Sequence, residues 1–167
     1  MDTFARQYEI AAAAAPAQQY IDPLRIKEGE IVQQRDLVGS VIAGRYKVLD
    51  LIAEGGMGAI YRVEHLSLGK ALAMKVLGPE YMYNATARER FAVEAKSASC
   101  LQHANLVAVH DFSASENSLP YLVMDFVDGE NLSTLIERER HLPWRKVVEF
   151  AIQICDGLNY AHNFGVV

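Results

Sequence analysis

Three glycines within four positions, Gly55, Gly56 and Gly58, lie in the run Ile52-Ala53-Glu54-Gly55-Gly56-Met57-Gly58-Ala59-Ile60. A backbone with so few Cβ atoms can approach a ligand closely, and its N–H groups suit a phosphate. Glycine also marks ordinary turns, so the cluster needs partners before it means chemistry. Lys75 offers a cation downstream and Glu94 a carboxylate further on. A lysine amine held by a carboxylate beside glycine-rich backbone can bind and orient phosphate oxygens. Alone, Lys75 reads as an edge lysine whose amine reaches water.

The elements around these residues decide between the two readings. Residues 46–52 alternate as a half-buried strand with Tyr46, Val48 and Ile52 on one side, and 59–64 form a second strand. The glycines therefore join two strands in a hairpin. That excludes the dinucleotide fingerprint, whose glycines open a helix, and the Walker loop, whose lysine directly follows its last glycine. A third strand covers 71–77. Alternation along it puts Lys75 on the face of Ala71 and Ala73, where small neighbours leave a shallow space for a flat ligand.

Residues 86–102 predict a helix with Ala87, Phe91, Ala98 and Leu101 as its apolar stripe. Glu94 falls inside that stripe, so its carboxylate is expected to be desolvated and to need a cation, and Lys75 is the candidate. Two more strands, 106–112 and 119–127, bring the sheet to five, followed by a short helix over 132–138. The last helix runs over 143–163, with Pro143 in its first turn. Its apolar residues fill an arc of about 200°, against roughly 100° for a surface helix. Such a helix expects neighbours on two sides, and the reading is that the sequence stops inside a domain.

The chain has 167 residues and a net charge of −5, with no basic block, which argues against nucleic acid as a partner. Cys100 and Cys155 lack metal-ligand spacing and read as free thiols of a reducing, cytoplasmic protein. His103 and His110 read as packing or capping groups, and no metal site is expected. No apolar run approaches a membrane span. Residues 1–40 carry an alanine run, prolines and scattered charge without period, and read as a flexible leader.

Together these residues resemble the eukaryotic-like serine/threonine protein kinases of bacteria. The run 52–61 resembles the family's glycine-rich loop, and Leu72-Ala73-Met74-Lys75 its Val-Ala-Ile-Lys strand. Glu94 sits where the family has its helix-C glutamate. His103-Ala104-Asn105-Leu106-Val107 resembles the His-Pro-Asn-Ile-Val loop, Tyr121 to Gly129 the fifth strand and hinge, and 160–167 the run into the catalytic loop. The likeness covers 41–167 in unbroken order.

The resemblance implies an α+β, protein-kinase-like fold. A five-stranded antiparallel N-lobe sheet with helix C and hinge (41–127) would be followed by the first helices of an incomplete C-lobe (128–167). It implies ATP as ligand, with Gly55, Gly56, Met57 and Gly58 over the phosphates and Lys75 on them, held by Glu94. Ile52, Ile60 and Ala73 would line the roof of the adenine pocket, with Met124 as gatekeeper, and Ala53, Glu54 and Ala59 of the loop would complete the nucleotide-binding residues. The backbone of Asp125 and Val127 would meet the adenine edge, leaving those side chains free to vary. Ala53 departs from the family's first glycine and Ala104 from its proline. The catalytic aspartate and the magnesium ligands would lie beyond Val167, so this chain is expected to hold ATP without transferring phosphate to protein substrates. The alternatives are a non-catalytic nucleotide-sensing or decoy module that pairs with a full kinase, and a plain interaction domain.

Overall fold

The computed structural model describes residues 37–78, 81, 84–114 and 119–166. One six-stranded antiparallel sheet carries the N-terminal part: β1 (Val41–Ile42), β2 (Tyr46–Gly55), β3 (Gly58–His65), β4 (Lys70–Leu77), β5 (Val109–Ser113) and β6 (Tyr121–Asp125). The strand order is β1-β2-β3-β4-β6-β5. Among the described residues the helices are α1 (Ala85–Ser99) between β4 and β5, then α2 (Leu132–Glu139) and α3 (Trp144–Asn163).

The sheet has six strands, where the sequence suggested five. The extra strand β1 pairs Val41 with Lys47 and Ile42 with Tyr46 through a tight turn. Ala43 and Gly44 take φ of 53° and 66° there, and Arg45 N donates to Ile42 O at 3.1 Å. Residues 43–45 form the loop, and positive φ at both central positions of the 42–45 turn is the geometry that suits the right-handed twist of the paired strands. Two residues are too few to show alternation, so the strand left no periodic signal. Leu37 and Ser40, assigned to the leader, pack here: Leu37 joins the core cluster and Ser40 Oγ donates to Leu37 O. The rest of the leader, 1–36, lies outside the described residues.

Side chains divide cleanly between the faces of the sheet. Leu72, Met74 and Val76 of β4 enter one core with Tyr46, Val48, Ala59, Tyr61, Val63, Tyr121 and Val123. Leu77 points the other way, into a cluster with Phe91 and Ala95 of α1 and Leu122 of β6. Lys75 and Ala73 share that second face by strand alternation. Two register shifts interrupt β2, between Val48 and Asp50 and between Leu51 and Ala53. They alter the expected pattern: Ile52 is 47% exposed and does not join Tyr46 and Val48 in the core.

Helix α1 starts at Asn84, whose side chain accepts from Ala87 N at 3.0 Å. Its buried residues are Phe91 and Ala95. Glu94 is not desolvated as the sequence suggested, since its side chain is 67% exposed. The helix meets the sheet along a narrow line, with Glu94 at its margin. Strand β5 begins at Val109, because 106–108 serve otherwise: Leu106 N closes a turn onto His103 O, and Ala108 O accepts from Asp125 N. Gly157 lets α3 approach the same loop, since a Cβ there would stand 3.2 Å from Asn105 O.

Much of α3 has no cover among the described residues. Gly157 and Ala161 are buried, while Trp144 is 71% and Ile152 62% exposed. No helix among the described residues is long and apolar enough to cross a membrane.

Candidate functional site

The glycine hairpin closes on the pair Gly55 and Gly58, with Gly56 and Met57 at its tip. Its glycines differ in what requires them. Gly58 has φ of 146°, and a Cβ there would fall on the Val76 carbonyl oxygen, with Leu77 Cα and Gly78 N both at 3.1 Å. The hairpin lies directly on β4 at that point, and Met57 O accepts from Gly78 N at 3.1 Å. A Cβ on Gly55 or Gly56 would meet nothing within 4 Å. Space is open beside those two residues, which is what a phosphate chain over the hairpin needs.

Register assigns the other residues to rows across the sheet. Lys75 pairs with Ile60 on β3 and Leu122 on β6, and Ile60 pairs with Ala53 on β2. Directly opposed residues face the same side, so Ala53, Ile60, Lys75 and Leu122 form one row. The next row is Asp50, Arg62, Ala73 and Met124. Lys75 Nζ lies 3.7 Å from Glu94 Oε1, an ion pair with side chains 29% and 67% exposed. The pair expected from the sequence is present, at a half-open edge. Ala73 is buried, whereas Met57 and Val127 are 69% and 70% exposed. Glu54 and Ala53 are exposed. Ala59 points into the opposite core, so only its backbone can face a ligand.

Two features near the end of β6 were missed from sequence. Arg62 Nε donates to Asp50 Oδ2 at 2.9 Å, and its guanidinium lies 6.0 Å from the centre of the Phe126 ring. The hydrogen bond to Asp50 raises the pKa of Arg62 further. Opposite charges equidistant from a hairpin tip could have signalled this pair, but the β2 bulges shift the count. The second feature is the Asp125 carboxylate, held by His110 at 2.7 Å and Lys70 at 3.1 Å. Those two donors, His110 foremost, hold its pKa below the usual carboxylate range. Asp125 is therefore not a position where any side chain serves equally. His103 is likewise engaged: its Nδ1 accepts from Asn105 N at 3.2 Å, and its Nε2 lies 3.3 Å from Asp156 Oδ2.

A groove of about 570 Å³ is lined by Leu106, Val107, Asp125, Val127, Phe150 and Ile154 among others, so it shares Asp125 and Val127 with the candidate site, while neither Lys75 nor the hairpin glycines border it. Among the described residues no group of three His, Cys, Asp or Glu side chains could hold a metal ion. Cys100 and Cys155 are free and exposed.

Comparison with known proteins agrees with this geometry. Residues 46–167 match the protein kinase domain family. The chain is 38% identical over 132 residues to serine/threonine-protein kinase pkn3 of Myxococcus xanthus, covering 79% of this chain and 24% of that one. It is 36% identical over 134 residues to PknA of Mycobacterium tuberculosis, covering 78% and 31%. Among solved structures, the PknI kinase domain of M. tuberculosis superposes with a TM-score of 0.65 at 30% identity, covering 75% of this chain and 50% of that one. The chain thus spans 24% and 31% of these curated relatives and half of the matched kinase domain. With a glycine hairpin over a lysine–glutamate pair and an unbroken match from the second strand onward, the chain belongs to the protein kinase family, alongside the serine/threonine kinases of bacteria.

Proposed function

We propose that this chain forms the nucleotide-holding part of a cytoplasmic protein kinase that transfers the γ-phosphate of ATP to serine or threonine of proteins. The observation that carries the reading is the Lys75–Glu94 pair, set in one row with Ile60 and Ala53 beneath a hairpin that is open at Gly55 and Gly56. A lysine tethered by a carboxylate presents its ammonium in one direction, which suits the α- and β-phosphates of ATP. N–H groups of 55–58 would add donors to the phosphate chain. Ile52, Ala53, Ile60 and Ala73 would cover the base, with Met124 behind it. The peptide groups of Asp125 and Val127 would take the adenine edge.

Magnesium, where bound, would neutralise charge on the phosphates. No described cluster fits it as a protein-held metal, so these residues are assigned no step through it. The 167 residues contain no His-Arg-Asp run and no Asp-Phe-Gly run. Without a general base or metal carboxylates, the chain by itself binds nucleotide and does not transfer phosphate.

Titration calorimetry and NMR shift mapping with Mg–ATP test this reading. The expected affinity is weak, about millimolar, because one lobe contributes most of the contacts, and Lys75→Ala abolishes it. Binding unchanged by Lys75→Ala, or no binding by the wild type, would refute it.

A further inference from the structure

The contacts of Asp125 have a specific origin in β5. The register jumps between Val109, which pairs with Met124, and Asp111, which pairs with Val123. His110 is the extra residue of that bulge. A bulge re-aims its side chain out of the strand's alternation, and here the imidazole Nε2 arrives 2.7 Å from Asp125 Oδ1. Lys70, the first residue of β4, brings Nζ to the same oxygen at 3.1 Å. The Asp125 main chain is fixed as well, since its N–H donates to Ala108 O at 3.0 Å and its Cα partner on β4 is Leu72. Immediately beyond Asp125 the strand pairing ends, and 126–128 run on without ladder partners. Two donors from two different strands thus grip the last residue of β6 where it passes into the hinge.

We infer that His110 and Lys70 are positioning residues that act through the Asp125 carboxylate to hold the peptide groups of 125–127 for a nucleotide base, and so govern recognition of the base and not of the phosphates. This rests on the nucleotide reading given above. The site is half-open, so the contacts add little to global stability. What they restrict is the orientation of a short unpaired segment, and a base gripped by two peptide groups loses affinity when that segment wanders. Lys75 and the glycine hairpin lie elsewhere on the sheet and have no contact with Asp125.

The test compares the wild-type chain with His110→Ala and His110→Gln, the latter keeping an amide donor of similar reach. Binding of Mg–ATP and of inorganic tripolyphosphate is followed by NMR titration, with amide hydrogen exchange at 125–127 measured on the free chain. His110→Ala is expected to weaken ATP about five-fold, a size typical of one exposed charge-assisted contact. It should leave tripolyphosphate within about two-fold and speed exchange at 126 and 127, and His110→Gln should restore both. Unchanged exchange in His110→Ala, or equal losses for ATP and tripolyphosphate, overturns the inference. A wild-type chain that binds neither ligand defeats the nucleotide reading and the base-positioning role with it, while hydrogen exchange still reports separately whether His110 locks the strand end.

Discussion

Replacing Gly58 by alanine separates a glycine required by the fold from glycines that leave room for a ligand. The residue sits at φ of 146°, and an added Cβ would overlap the Val76 carbonyl oxygen, with two further backbone atoms at 3.1 Å. None of these neighbours is a flexible side chain, so relief requires the β3–β4 ladder to open where Gly58 faces Leu77. Backbone strain of this kind costs about 1–3 kcal/mol, and forced overpacking about as much again. A loss of at least about 2 kcal/mol is expected, which for a domain of this size lowers the melting temperature by at least roughly 6 °C. Gly56→Ala is the matched control: its Cβ meets nothing within 4 Å and its φ is not in the left-handed range. It should stay within about 1 kcal/mol of wild type. Circular dichroism melts of both variants decide the matter. A Gly58→Ala chain melting within about 2 °C of wild type would show that the hairpin does not rest on β4 as described.

Other consequences can be tested on the same chain. Tyr46 donates to Asp111 at 2.8 Å in a cluster with Arg45 and Tyr121. Burial first, then that hydrogen bond, push its pKa up to about 12. Its stabilising contribution is complete below about pH 10, where the unfolded phenol begins to ionise, and is lost as pH rises through about 12. Urea midpoints should therefore fall by the equivalent of about 2–3 kcal/mol over that window. Tyr46→Phe should lose less than the wild type between its own values at pH 8 and pH 11.5 (about the upper end of that window), and an identical loss would refute the assignment. Ile152 and Leu158 are 62% and 48% exposed on α3, so the chain should self-associate at high concentration. Ile152→Glu with Leu158→Glu should reduce that in sedimentation velocity, and a wild-type chain monomeric at high concentration contradicts the expectation.

The hairpin, the face of Lys75 and the residue that pairs with it were all legible in the amino-acid order, because each rests on local periodicity. Strand alternation alone separates Ala73 and Lys75 from Leu72, Met74 and Val76, and the structure keeps that division. Helical spacing carried Glu94 to the correct helix and close to the correct face, but made it too buried. Its true exposure depends on how narrow the contact between α1 and the sheet is, a property of two elements together. Residue Ile52 was misplaced for a related reason. A bulge inserts one residue without altering composition, and alternation counted through it ends on the wrong side.

Sequence by itself brought the glycine hairpin, Lys75 and Glu94 forward as one candidate site, because glycine, lysine and glutamate at those spacings on strand, strand and helix leave few other arrangements, and the Lys75–Glu94 pair forms. Only the tertiary structure decided what each is for. Gly58 is required by the sheet, whereas a Cβ on Gly55 or Gly56 would meet only open space, a difference set by where the backbone of β4 passes. The hinge residue Asp125, whose side chain had seemed free to vary, is held by His110 because a bulge in a neighbouring strand turns that histidine towards it. Contacts between residues distant in the chain are fixed by register and packing, and these are properties of the folded sheet that no single strand contains.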